Sequence, residues 1–272
     1  MLTGLKCEIP SGKSKGKVVQ FDRQNAIIYT EYLLTDTALL TPALPTASLH
    51  LSMKTLISST HALVTIEPNG VATLTIREAG TLNILSTPVI QDLTNALNEL
   101  AHMTDLRCLV FRGSGDKAFI AGANINEMSA LNRKSAVTFI SGLRDLCEAT
   151  RMFPTPVIAR IPGWCLGAGL ELAMACDVRI AAQGTQLGMP EVKVGIPSVI
   201  HATLMPRLIG QAQATWLLLS GENIDAEQAL QWAVDALAKA GTLGIIGVYP
   251  QQAREFPIGQ AMNKNLSVNM GN

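Results

Sequence analysis

Two glutamates and a glycine-bearing turn give this chain the means for acid/base chemistry on a carbonyl compound. Glu171 stands just inside a helical pattern that opens after the small-residue turn Gly163, Gly167, Ala168, Gly169, and Glu191 follows in the turn Met189-Pro190-Glu191. The first N–H groups of a helix have no acceptor within it, and the helix dipole adds partial positive charge there. Such a point can receive a developing negative charge, an oxyanion site in outline. Two carboxylates converging beside it can take a proton from one atom and return it to another. Each glutamate alone has an ordinary reading. An acid in a first helical turn complements the dipole, and Pro-Glu commonly starts a helix or turn. Their joint occurrence beside the glycine turn is what points to chemistry.

The stretch from Pro156 to Glu191 supplies the positioning elements in order. Val157 to Ile161 is a short apolar strand, the glycine turn follows, and LELAMACDVRIAA continues as a helical pattern, with Asp177 at the helix end before a strand. Upstream, HALVTIEPNGVATLTI alternates as a hairpin turning at Glu67, Pro68 and Asn69. Ser86 or Thr87 caps a helix through VIQDLTNALNELAHM, Leu106 to Arg112 reads as a buried strand, and Ala136 to Met152 as an amphipathic helix. Downstream, Gly221 closes one helix and Asp225 caps the next. Strands alternating with helices predict a parallel, right-handed α/β arrangement. Cys165, Met174 and Cys176 read as core, and Asp177 as structural. Trp164 and Ile125 either line a pocket or pack inside. His102 and His201 show no partner and read as surface or packing residues.

Composition narrows the partners. Lys+Arg and Asp+Glu number 21 each among 272 residues, so no field of one sign draws in nucleic acid or an anionic membrane. The five cysteines form no CxxC pair and are odd in number, which argues against a disulfide framework and a zinc site. A reducing cytoplasm fits. No apolar run approaches the ~20 residues of a membrane helix, so neither spanning nor export is expected. Residues 1–52 lack clear periodicity apart from a strand or two between Val18 and Tyr32, and read as a weakly ordered extension. SGKSKGK at 11–17 lacks the spaced glycines of a phosphate loop and reads as a solvated linker.

Four blocks carry a resemblance to the enoyl-CoA hydratase/isomerase (crotonase) superfamily: AFIAGANINEM at 118–128, IPGWCLGAGLELAMACDVRIAA at 161–182, LGMPEVKVGIPS at 187–198 and SGENIDAEQAL at 220–230. The resemblance covers about 53–233. It implies an α/β fold, a crotonase-like spiral of ββα turns, with a catalytic core over 53–232. It also implies an oxyanion hole of two backbone N–H groups for an acyl-CoA thioester oxygen, at Ala121 in AGAN and Ala168 in LGAG. Gly122, Ala123, Asn124 and Gly167 would then line the substrate. Glu171 and Glu191 occupy the positions of the two hydratase glutamates. The implied activity is that of a hydro-lyase of fatty acid metabolism, adding water across the 2,3-double bond of a 2-enoyl-CoA. It needs no metal or redox cofactor, coenzyme A being part of the substrate. Lys117 and Arg133 are candidates for the CoA phosphates. A trimer, or a dimer of trimers, is the implied assembly.

This chain departs from the family pattern in three places. Asn124 stands where relatives usually carry Asp, which keeps hydrogen bonding and loses charge. PSVIHATLMPRL replaces a glycine-rich loop after the second glutamate. The segment 233–272 resembles a fragment of the nucleotide-binding half of zinc-dependent medium-chain alcohol dehydrogenases, without GxGxxG or zinc ligands, and so implies neither NAD nor metal. The helical region that completes the family's acyl pocket is thereby altered. The alternatives are another crotonase-type acyl-CoA reaction (isomerase, hydrolase or decarboxylase) and a non-catalytic acyl-CoA-binding or assembly protein.

Overall fold

The computed structural model describes residues 6–7, 19–20, 26–29, 53–236, 242–246 and 267–271. In chain order the strands are β1 (Lys6–Cys7), β2 (Val19–Gln20), β3 (Ala26–Tyr29), β4 (Lys54–Ser58), β5 (Ala62–Ile66) and β6 (Val71–Ile76), followed by helix α1 (Thr87–Leu100). Then come β7 (Cys108–Arg112), β8 (Ala118–Ile120), α2 (Ile125–Ser129), α3 (Arg133–Arg151), β9 (Val157–Ile161), β10 (Trp164–Leu166) and α4 (Ala168–Ala175). The remainder is β11 (Val178–Ala181), β12 (Gln186–Gly188), a 3-10 turn Pro190–Val194, a second at Ala202–Leu204, α5 (Met205–Ile209), α6 (Gln211–Ser220), β13 (Asn223–Asp225), α7 (Ala226–Ala236), β14 (Thr242–Ile246) and β15 (Ser267–Gly271).

Two sheets organise these elements. The larger runs β3-β11-β9-β7-β6-β5-β4, with β4, β5 and β6 antiparallel and every pairing from β6 through β7, β9 and β11 to β3 parallel. The smaller runs β13-β12-β10-β8, its pairings parallel except that of β13 with β12. The chain visits them alternately: β7, β8, then α2 and α3; β9, β10, then α4; β11, β12, then the 3-10 turn at Pro190. This is the expected α/β spiral of ββα turns. Strand β3 joins its edge from a segment that reads as an extension in sequence. Most of residues 233–272, the segment read in sequence as resembling alcohol dehydrogenases, lies outside the described residues.

The core fills one face of the large sheet. Ala62 and Val64 of β5, Ala72, Leu74 and Ile76 of β6, Leu109 and Phe111 of β7, and Val157, Ala159 and Ile161 of β9 are buried, the alternation a one-sided sheet requires. Against them α1 lays Val89, Ile90, Leu93, Ala96, Leu97 and Leu100, a stripe at helical spacing. The hairpin turn forms as its residues predict, with Gly70 N–H donating to the Glu67 carbonyl at 3.0 Å and Gly70 at φ 83°. Ser86 makes no side-chain cap. The Glu127 carboxylate of α2 instead accepts from Thr87 N–H at 3.1 Å and from the Thr87 hydroxyl. The LELAMACDVRIAA helix is shorter than its pattern: α4 stops at Ala175, and Val178–Ala181 is strand β11. All eight residues of α4 are buried, so no polar stripe marks where its helical period ends.

Candidate active site

Three neighbouring parallel strands of the small sheet deliver the site's parts to one end of that sheet. After β8 comes the turn 121–124, after β10 Gly167 and the start of α4, and after β12 the 3-10 turn bearing Glu191. Glycines let these pieces meet. A Cβ on Gly169 would stand 2.1 Å from the Ile120 carbonyl oxygen, so α4 lies directly on the end of β8. Gly167 has φ 54°, and a Cβ there would lie 2.7 Å from Glu191 Oε1. The Glu191 carboxylate thus sits over the first residues of α4.

The N–H groups separate into engaged and unengaged. Ala121, the expected first donor, already donates to the Leu82 carbonyl at 3.0 Å. That expectation is corrected: Ala121 is not the open donor of this turn. Leu85 donates to the Gly122 carbonyl at 3.0 Å and accepts from Asn124 N–H at 2.8 Å. Ala123, paired with Leu85 in a parallel bridge between those two bonds, therefore turns its own N–H away from Leu85. Its N–H has no acceptor among the described residues, and Ala123 is half-buried where Gly122 is fully buried. The Ala168 N–H, first in α4, likewise has no acceptor among the described residues, as helix geometry dictates. Asn124 caps α2, its Oδ1 accepting from Glu127 N–H at 3.2 Å, so its amide does the neutral hydrogen-bonding work expected of it.

The two carboxylates differ in how they are held. Glu171 is 2% exposed, and its Oε1 accepts from the N–H groups of Ile200, His201 and Ala202 at 3.1, 2.9 and 3.0 Å. Burial pushes its carboxyl above the usual range, the Ala202 N–H acts against that, and the neighbouring Glu191 charge adds to the rise. Burial also raises Glu191, opposed by its own backbone N–H and by the Ser198 hydroxyl. Glu191 Oε2 is buried with no hydrogen-bond partner among the described residues. Both groups are therefore disposed to carry a proton nearer neutrality than free glutamate, as acid/base catalysts require.

Other expectations resolve plainly. Cys165, Met174 and Cys176 are buried, and Asp177 Oδ2 accepts from Val157 N–H at 2.9 Å, a local structural bond. Trp164 and Ile125 are exposed at 41% and 56%, which removes the core-packing alternative for both. Lys117 and Arg133 are exposed, as is His102. His201 is corrected: it is 5% exposed and bonds Glu148 Oε1 through Nε2 at 2.9 Å. Sequence reasoning missed that pair, Ser198 and the 200–202 backbone. The departure PSVIHATLMPRL was the one signal that pointed to this loop.

Comparison with known proteins matches residues 66–238 to the family model for enoyl-CoA hydratase/isomerase. The chain is similar to the short-chain-enoyl-CoA hydratase of Clostridium acetobutylicum, 33% identical over 170 residues, 62% of this chain and 65% of the relative. It is also similar to the (E)-benzylidenesuccinyl-CoA hydratase of Thauera aromatica, 35% identical over 173 residues, 63% of this chain and 67% of that one. The chain thus covers just under two thirds of the first of these relatives. Among solved structures, an enoyl-CoA hydratase from Bacillus anthracis superposes with a TM-score of 0.61 at 33% identity, covering 64% of this chain and 67% of that one.

Proposed function

The chain belongs to the enoyl-CoA hydratase/isomerase family, and we propose that within it this protein is a hydratase of 2-enoyl-CoA thioesters. The observation that carries the proposal is the placement of two carboxylates beside the α4 N-terminus, Glu171 buried and Glu191 half-buried, both raised by burial above the usual carboxylate range. In this reading the thioester oxygen lies between the N–H groups of Ala123 and Ala168. Water adds its oxygen to C3 as Glu171 takes its proton. The electron pair of the double bond moves onto the thioester oxygen, giving an enolate that the two N–H groups stabilise. Glu191 delivers a proton to C2, the enolate collapses, and the 3-hydroxyacyl thioester results. Losing one such N–H donor raises a barrier by about 3 kcal/mol in comparable sites, so donor geometry weighs as much as the acids. Coenzyme A enters as part of the substrate, and the scheme calls on neither metal nor redox cofactor.

The test is loss of the conjugated-thioester absorbance of a short 2-enoyl-CoA. Turnover by the unaltered chain that disappears in Glu171→Gln/Glu191→Gln supports the proposal. No turnover by folded protein across short and long acyl chains sinks it. One observation favours a second reading: with Glu171 Oε1 filled by three donors, Glu191 Oε2 is the buried carboxylate oxygen without a partner among the described residues. A double-bond shift needs only one such carboxylate. Conversion of a 3-enoyl-CoA to its conjugated isomer, surviving Glu171→Gln and lost in Glu191→Gln, would move the assignment to an isomerase.

A further inference from the structure

The turn after Glu191 makes a contact that the hydration scheme does not use. His201 is 5% exposed and bonds in two directions. Its ring Nε2 donates to Glu148 Oε1 on α3 at 2.9 Å, and its backbone N–H donates to Glu171 Oε1, also at 2.9 Å. Ile200 and Ala202 complete the three donors on that one oxygen. Three consecutive N–H groups reach a single acceptor only if the backbone of 200–202 is held in one conformation. Besides those three backbone bonds to Glu171, and apart from the Ser198 hydroxyl on Glu191, the His201–Glu148 bond is the one hydrogen bond that a side chain of residues 196–204 makes to the rest of the described structure.

The ring itself argues for a purpose beyond filling space. His201 Nδ1 is buried and has no partner among the described residues. An unpaired buried nitrogen is unfavourable, and a leucine would fill the volume without it. The position therefore gains from the Nε2 contact, not from bulk.

We propose that His201 and Glu148 are positioning residues for Glu171: their hydrogen bond registers the 200–202 backbone on Glu171 Oε1 and so leaves Oε2 as the oxygen presented to substrate. Its catalytic meaning rests on the reading of Glu171 as a carboxylate of the proposed reaction, while the positioning itself is measurable without turnover. The groups facing Glu171 are Glu191 from the 3-10 turn and Cys147 from α3, with Glu148 beyond Cys147. Glu148 is held below the usual carboxylate range by hydrogen bonds from Arg151 and His201, so it is the charged acceptor of the pair.

The experiment titrates the Glu171 carboxyl by carbon NMR of glutamate-labelled protein, its resonance identified by disappearance in Glu171→Gln. The variants are His201→Leu, which removes the donor and keeps bulk, and His201→Gln, which returns an N–H near the position of Nε2. Losing the three backbone donors moves the titration of Glu171 upward in His201→Leu, because fewer hydrogen bonds favour its charged form. Glutamine restores it toward the original value. Repeating the titration in a Glu191→Gln background separates this from any change in the neighbouring carboxylate. In the 2-enoyl-CoA assay, kcat falls roughly ten- to a hundredfold in His201→Leu with KM changed less than about twofold. A Glu171 titration unmoved in folded His201→Leu overturns the proposal. If that variant does not fold, Glu148→Ala carries the same test, and an unmoved titration there overturns it equally. Failure of the unaltered chain to hydrate any enoyl thioester would sink the proposed reaction and leave this titration to decide the positioning claim.

Discussion

Glu191 gives the site a dependence on pH. Its carboxyl is raised mainly by burial, and one oxygen has no donor among the described residues. A raised folded value means the folded protein binds the proton more tightly than the unfolded chain does. Stability from this group is therefore complete below the unfolded value of about 4.3 and is lost as pH rises through the folded one. Glu191→Gln should accordingly raise stability at pH 8 by roughly 1 kcal/mol, because a neutral amide avoids the desolvation of a partly buried charge, or about 2–4 °C in Tm. The advantage should vanish near pH 4, and a variant no more stable than the parent at pH 8 would contradict it. The two glutamates were legible in sequence because residue type and motif position both mark them. The open N–H of Ala123 was not, because which amide is free depends on Leu82 and Leu85 taking its neighbours. His201 and Glu148 stand 53 residues apart, and no local pattern couples them.

Helix α4 is positioned from both ends. Its first turn lies on β8 because Gly169 has no side chain, a Cβ there falling 2.1 Å from the Ile120 carbonyl oxygen and 2.8 Å from Ile120 Cβ. Its last carbonyls are held by buried Arg179, whose Nη1 donates to the carbonyls of Ala173 and Cys176 at 3.1 and 2.8 Å. Gly169→Ala should therefore push the Ala168 N–H away from the β8 turn. We expect a loss of about 1–3 kcal/mol by urea unfolding and a fall in enoyl-CoA turnover of about a hundredfold. Gly184→Ala is the control: φ is 78° but nothing lies within 4 Å, so it should lose stability through backbone strain alone and keep its kcat. Equal kcat in the two variants would refute the packing argument. Strands and long helices were legible from period and turn residues, since half-buried elements carry an alternating pattern. The end of α4 was not, because a segment buried all round shows no period, and Val178 to Ala181 is mostly buried like the helix before it. The spiral of two sheets came from the family resemblance, since alternating strands and helices do not reveal which sheet each strand joins.

At the scale of the molecule, the family match ends at residue 238, close to where the sequence changes character. Up to that point exposed apolar side chains gather where the 3-10 turn at Pro190 meets α6. Val192, Val194, Trp216 and Leu219 are all exposed, and a Cβ on Gly221 would lie 2.9 Å from Val192 Cγ1, so the two elements adjoin. A soluble monomer seldom leaves such a group uncovered. If the chain forms the trimer that the family resemblance implies, this surface, on the element that carries Glu191, is the apolar face available for a second copy of the chain to cover. We expect light scattering after size exclusion to give a species three times the 29.0 kDa chain, or six times for a dimer of trimers. Val192→Lys/Leu219→Lys should reduce it toward one chain, because burying two unpaired ammonium groups opposes association. Assembly should also lift enoyl-CoA turnover, since covering the 3-10 turn buries the Glu191 carboxylate further and raises its protonation beyond that of one chain. A monomeric parent chain with full turnover would separate the two ideas and show that the site stands complete in one copy.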